Sequence, residues 1–482
     1  MSNIKKNALY NIVLSVSQVL FPVLVLPYVS RVLGPAGMGS IGFVENFTHY
    51  FIVLAALGIP IYGVREIAKH KEDGNAHSSF FSEIVIIHSI TTIILSIVFV
   101  SLIITIKQLY EYRQLFIIGV GIMYVQVFTM EWFFQGMEQF KLIAIRGVLV
   151  KALAVLLIYT CVRHEDDTTV YYAIIFLTAL VSMFINLYYT KGMVRLTFNN
   201  LKLLRHLKPM FYILSFSLVI QVYTVLDTTI LGFIKGDVEV GYYTTSIKLS
   251  RVLIMVLTAV TMVMIPAIAK NFHEKKLEQN KQLLAKSFSY VSFISIPLVI
   301  GLMLYAEEIV HLFAGDEFLP ATYSLQIIAP TIVIIGYSNV FGVQILNSSN
   351  NEKFFFRAAC VGMIVSLIVN FTFIPLLGYI GASIAAFLAE LVVLIFLIKF
   401  SFRVIDFAPN WMTPVKALLT SLLFIPIYYL IYGFGFDTFI TLLLGIPASI
   451  LLYFSLQYWL WRNVLVVDMV SFVSRFFSGL GR

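Results

Sequence analysis

Apolar residues run through this chain in long unbroken blocks, without the alternation of half-buried strands or the single apolar stripe of water-soluble helices. The blocks lie near residues 8–31, 39–65, 80–106, 113–135, 141–162, 168–190, 210–234, 242–269, 285–306, 324–346, 355–376, 379–400, 412–432 and 438–461. At 1.5 Å per helical residue, about 20 residues cross the hydrocarbon of a bilayer. The runs are continuous, which predicts helices and not the alternating strands of a membrane barrel. Gly-Pro at 34–35, "KHKEDGN" at 69–75, "RHEDD" at 163–167, "GDE" at 315–317 and "NSSNNEK" at 347–353 read as the turns between them. The pattern predicts an all-α polytopic membrane protein of fourteen spans. No small-residue cleavage site follows the first block, so it reads as a span and not a removed signal.

Composition agrees: 60% of the 482 residues are hydrophobic and 12% are charged, against about 25% charged in soluble proteins. The net charge of +8 would suggest nucleic acid, but its placement gives another meaning. With the N-terminus in the cytoplasm, 25 of the 33 Lys and Arg residues fall on inner segments and five on outer ones. That split follows the positive-inside rule for both termini cytoplasmic. Cys161 and Cys360 fall near opposite faces, which predicts packed thiols and no bridge. From Arg462 onward, Asp468, Ser471, Arg475, Ser478 and Arg482 share one side of a helix, predicting an amphipathic tail at 462–482 on the cytoplasmic leaflet.

A weak internal repeat is present. "LGPAGMGSIGFVENFTHY" from Leu33 aligns with "LGFIKGDVEVGYYTTSIKLSR" from Leu231, matching Gly39 to Gly241. A second echo sets Arg146 opposite Arg357. The expected organisation is two pseudo-symmetric six-helix lobes plus two helices. These are residues 1–190, a cytoplasmic linker at 191–209, residues 210–400, and the final pair at 401–461. Parallel repeats of this kind place a substrate site between the halves.

Ionisable residues inside spans are costly, and each asks for a function or a partner. Lys248 and Arg251 sit three residues apart, and the repeat sets them opposite Asn46 and His49. Facing a central cavity, they would form an anion site. Snorkelling to the headgroups, or pairing of Lys248 with Asp227, are the structural alternatives. Lys151 lies mid-span, with Glu45 and Glu390 as candidate partners or a wet cavity as its destination. Arg31 ends the first span, as an interfacial anchor or a ligand. Glu131 is expected to pair with Arg146. Glu45, Asp227, Glu390 and Glu131 could serve ion coupling or simple charge balance. Asn186, Asn339 and Asn370 read as hydrogen-bonding glue between helices. The chain carries no Walker loop, no HExxH, no Cys/His metal spacing and no GxSxG. His88, alone in an apolar helix, reads as packed. No enzyme, metal or cofactor is expected.

The run "NALYN…P…LPYVSRVLGPAGMGSIGF…GIPIYGVREIAK" resembles the polysaccharide transporter branch of the multidrug/oligosaccharidyl-lipid/polysaccharide exporter superfamily. Its members include the Wzx-type O-antigen and capsule repeat-unit flippases. "LDTTILG…EVGYYTTSIKLSRVL…MIPAIAK" and "LGYIGASIAAFLAELV" carry the same likeness. The resemblance implies alternating-access flipping of an undecaprenyl-diphosphate-linked oligosaccharide across the bacterial inner membrane, for O-antigen, capsule or exopolysaccharide synthesis. It implies membrane lipid, a polysaccharide polymerase and chain-length proteins as further partners, and no nucleic acid. It also implies a cationic cavity, transferred here to Arg251, Lys248 and Lys151, and more weakly to Arg31 and His49. The alternatives are a multidrug-type exporter of the same fold and a membrane-embedded polymerase or glycosyltransferase. The first would want an acidic, aromatic cavity. The second would usually expose a sizeable soluble loop bearing catalytic groups.

Overall fold

The computed structural model describes residues 2–69, 74–198, 201–463 and 465–467. Every regular element among them is helical. Among the described residues, eleven helices are long and apolar enough to cross a membrane, or twelve if the bent pair Leu204–Gln221 and Thr224–Lys235 is one span. Their outward faces are apolar: Ile364, Ile368 and Phe371 form an exposed stripe at helical spacing on Glu352–Leu377. In water such a face would be costly; against acyl chains it is matched. The protein is a multi-pass membrane protein.

The sequence count of fourteen differs in how three stretches divide. The first helix, Ser2–Ala56, spans two predicted blocks and breaks at Gly34 (φ 64°, ψ 179°). Only glycine adopts that backbone readily, and Pro35 then restarts the helix with its preset φ. Leu204–Lys235 is one helix bent by 56°. Asp237–Met262, which holds Lys248 and Arg251, stands outside the eleven. The tail beyond residue 467 and the turn at 70–73 lie outside the described residues.

The chain divides into two compact units, Met1–Thr244 with Ile374–Tyr379, and Thr245–Phe373 with Ile380–Arg482. In the first, Gly39 and Gly241 sit at a backbone-to-backbone crossing. A Cβ on Gly39 would lie 1.8 Å from the Asp237 carbonyl oxygen, and one on Gly241 would lie 2.1 Å from that of Pro35. These are the two glycines that the sequence repeat aligns. Around the crossing, the Tyr112 hydroxyl donates to Asp237 Oδ1 (2.7 Å). Glu239 Oε2 accepts from the backbone N–H of Tyr379 (2.7 Å), satisfying the start of Tyr379–Ser401. Below lies an aromatic core in which Tyr62, Phe80, Phe81, Trp132, Phe133 and Phe134 are buried. The chain enters it by turning at Met130 in the left-handed region (φ 49°).

In the second unit, small hydroxyls join the helices. Ser246 Oγ donates to the Ala321 carbonyl (2.9 Å), and Ser324 and Ser383 share a hydrogen bond of 2.7 Å. Asn339–Asn347 is a π-helical stretch. Within it Gln344 Nε2 reaches the Thr261 carbonyl (2.9 Å), satisfying a backbone group where the helix 237–262 ends. An apolar cavity of about 390 Å³ opens among Leu253, Phe293, Pro297, Tyr305, Ile450 and Phe454. Both cysteines are free thiols.

The glycine crossing gives a direct test. Gly39→Ala and Gly241→Ala each push a methyl into a backbone carbonyl, so each should lower stability by about 2 kcal/mol or more. Gly301→Ala, whose methyl meets nothing within 4 Å, should be neutral or mildly stabilising. Thermal unfolding of the three detergent-solubilised variants, followed by size-exclusion fluorescence, checks this.

Candidate functional site

The structure handles the in-membrane polar residues in several distinct ways. On the first helix, Arg31 is exposed and its Nη1 donates to the Pro27 carbonyl four residues back (2.9 Å). Asn46 Nδ2 likewise folds onto its own helix, donating to the Gly42 carbonyl (2.7 Å). Glu45 and His49 are both exposed, and their spacing of four puts them on one side of the helix. Asn46 and His49 lie seven and ten residues past Gly39; Lys248 and Arg251 lie the same distances past Gly241. On each helix the nearer residue is therefore about 10 Å along the axis from its glycine.

Lys151 is half-buried at the middle of Phe140–Cys161. Its Nζ donates to Ser17 Oγ (3.2 Å), and Ser17 Oγ in turn donates to the Leu14 carbonyl (2.7 Å). A hydroxyl satisfies the ammonium without neutralising it, so Lys151 keeps its capacity to attract an anion.

The pairing of Glu131 with Arg146 is present. One guanidinium nitrogen meets Glu131 Oε1 and another meets Asn186 Oδ1, while Asn186 donates to the Thr129 carbonyl. Arg146 is buried and Glu131 is about half exposed. Asn186 thus joins helices as expected, and so does Asn339, whose Nδ2 reaches Thr258 Oγ1 (3.4 Å). Asn370 bonds Ser366 on its own helix (3.0 Å). Arg357, the repeat counterpart of Arg146, is exposed and stacks over Phe354 (5.6 Å). Asp227 is buried and accepts from the Tyr243 hydroxyl (2.8 Å). Lys248 and Glu390 are half-buried, and Arg251 is exposed. His88 is buried among apolar neighbours of its span.

A cluster that sequence reasoning missed lies at the entrance to Gly74–Thr105. Glu83 is buried there, and its Oε2 accepts from Arg205 Nη2 (2.7 Å) and lies 2.6 Å from His206 Nε2. Its Oε1 accepts from the backbone N–H of Lys202 (2.7 Å). His206 Nδ1 is 2.8 Å from the Tyr62 hydroxyl. Nearer the start of the same helix, Ser82 Oγ accepts from Thr197 N (2.9 Å) and Ser78 Oγ from Arg195 N (3.3 Å). The linker expected to be a simple basic connector is therefore stitched to one helix. The signal available in the sequence was a lone acid in "SSFFSEIVIIH" and an Arg-His pair at 205–206.

Among the described residues, no group of three or more His, Cys, Asp or Glu side chains is placed to hold a metal ion. Comparison with known proteins supplies the context. The sequence profile of the polysaccharide biosynthesis protein family matches residues 4–272, and that of the MatE family matches residues 212–372. A candidate O-antigen transporter of Escherichia coli (strain K12) is 26% identical over 404 residues, covering 83% of this chain and 96% of that protein. The lipid II flippase MurJ of Bacillus subtilis (strain 168) is 24% identical over 193 residues, 37% of this chain and 35% of that protein. Among solved structures, lipid II flippase MurJ in an inward closed conformation superposes with a TM-score of 0.75 at 16% identity. It covers 95% of this chain and 99% of its own. An inward-facing multidrug resistance MATE transporter gives 0.64 at 14% identity, covering 81% and 95%.

The Glu83 cluster yields a prediction. Glu83→Ala leaves the His206 and Arg205 groups without their shared acceptor, and breaking a buried pair costs about 3 kcal/mol or more. The variant should unfold at lower temperature, and limited proteolysis should cut within 193–206 at sites protected in the parent. A Glu66→Ala control, which removes an acid paired to exposed Arg65 and Lys69, should leave that segment protected.

Proposed function

The chain belongs to the polysaccharide biosynthesis protein family, and on that premise we propose that it flips a polyprenyl-diphosphate-linked oligosaccharide across the bacterial cytoplasmic membrane. The protein is a transporter of the multidrug/oligosaccharidyl-lipid/polysaccharide exporter superfamily. Movement of a membrane-embedded substrate by alternating access is the general activity of that fold. The finer reading is a Wzx-type flippase handling undecaprenyl-diphosphate repeat units for O-antigen, capsule or exopolysaccharide synthesis. The observation that carries it is the near full-length match to a candidate O-antigen transporter, of which 96% is covered.

The residues give that cargo a chemical logic. A diphosphate cannot cross hydrocarbon with its charge exposed, and Arg and Lys replace its hydration by charge-assisted hydrogen bonds. Arg251, Lys248 and Lys151 are the proposed phosphate contacts, with Arg31, His49 and Asn46 as supporting polar groups. Glu45, Asp227, Glu390 and Glu131 balance charge or couple an ion. The lined cavity among Phe293, Pro297 and Phe454 is apolar, a suitable surface for a polyprenyl chain. The architecture we propose has fourteen spans. Dividing the first run at Gly34, counting the bent helix once and including Asp237–Met262 brings the number there. The lobes are residues 1–190 and 210–400, joined by 191–209 and followed by 401–461. Both termini lie in the cytoplasm, as the distribution of Lys and Arg supports.

A multidrug-type exporter is the second reading, favoured by the MatE match over residues 212–372. It fits less well because an exporter of organic cations has no use for an exposed Arg251 and a Lys151 bonded only to a hydroxyl among the described residues. Reconstitution in liposomes with fluorescent lipid-linked oligosaccharide tests the proposal. Arg251→Ala and Lys248→Ala should each slow flipping about tenfold or more, the scale of one lost charge-assisted bond. Arg163→Ala, in an exposed loop, should be silent. Parental rates in both cavity variants would remove the site assignment, and export of organic cations without lipid flipping would favour the second reading.

A further inference from the structure

Apart from the proposed substrate path, the second unit holds a cationic pocket that the transport reading does not use. Its volume is about 380 Å³, and Lys286, Tyr290, Lys416, Trp461, Arg462 and Asn463 line it. The three cations come from three places: the early turns of Leu277–Leu304, the start of Met412–Leu422, and the segment just past Thr438–Trp459. Among the described residues none of the three is in an ion pair. Lys416 Nζ lies 5.1 Å from the centre of the Trp461 ring. The Trp461 indole N–H is buried with no acceptor among the described residues. Three positive side chains and an idle donor around one cavity call for an anion that accepts hydrogen bonds.

The pocket is pre-shaped. The chain reverses at Arg462 in the left-handed region (φ 43°). Asn463 N–H donates to the Gln457 carbonyl (2.9 Å), and Asn463 Nδ2 donates to Gln457 Oε1 (2.9 Å). Gln457 Nε2 in turn donates to Thr420 Oγ1 (3.0 Å). These bonds tie the turn carrying Trp461 and Arg462 back onto the helices. Depth also favours one kind of anion. Trp411 and Trp459, both exposed, stand at helix ends beside the pocket, where aromatic side chains mark the headgroup layer. Phosphate groups of lipids lie at that depth.

We propose that this pocket binds a phosphate-bearing anion, in place of water, on the membrane face where these helices meet. A lipid headgroup and free phosphate share that chemistry, and the experiment separates them. Native mass spectrometry of the full chain from detergent would count retained phosphatidylglycerol against phosphatidylcholine, with inorganic phosphate as a soluble competitor. Phosphatidylglycerol should be retained preferentially. Lys416→Gln with Arg462→Gln should reduce its retention by tenfold or more, at about fivefold per cation. Trp461→Phe, which keeps the ring and removes the donor, should reduce it by a smaller factor. Lys416→Arg and the control Lys276→Gln, a residue paired with Glu274 outside the pocket, should behave as the parent. Displacement by inorganic phosphate that disappears in the double variant would identify a soluble phosphate as an occupant of the same site. No displacement would identify the headgroup. Equal retention of both lipids by the parent, or a parental preference in the double variant, would overturn the proposal.

Discussion

The contact on which most else depends is a crossing with no side chains in it. Gly39 and Gly241 bring two helices together so closely that a single methyl would overlap a carbonyl. In a bilayer, helices gain nothing from hiding apolar surface from one another, so close backbone approach is what holds them. The crossing also fixes rotation. Once the glycines face each other, the side on which each later residue of both helices emerges is set. Asp237 and Glu239 secure the arrangement at its end, one to Tyr112 and the other to the first N–H of the helix after Gly378.

Charge inside the apolar layer is handled by three kinds of chemistry. Glu131 and Arg146 neutralise each other, with Asn186 taking a further guanidinium proton. Arg31 donates to a carbonyl of its own helix. Lys151 and Asp227 take hydroxyls, from Ser17 and to the acid from Tyr243. The first kind removes net charge; a hydroxyl, as on Lys151, stabilises an ion while leaving its field intact.

Much of this was legible in the sequence, where the physics is local. Gly34-Pro35 announced the break in the first helix, because few other pairs both stop and restart a helix. The repeat matched Gly39 to Gly241, and these glycines touch. Glu131 and Arg146 were readable as a pair because each is costly alone. What escaped was chemistry between distant segments with common residue types. Ser17 carries no mark of being a lysine partner, and a lone Glu83 gives no hint that it gathers Lys202, Arg205 and His206. The π-helical turn at Asn339–Asn347 was equally hidden, since an extra residue per turn leaves an apolar run apolar.

Stitching the linker to Gly74–Thr105 has a mechanical consequence. A segment bonded through Ser78, Ser82 and Glu83 is anchored to that helix at three points; it is wall, not tether. Further along the same unit the chain bends by 56° between Gln221 and Thr224. That bend has no proline to hold it, so its angle is set by what packs on either side and can change when the packing does.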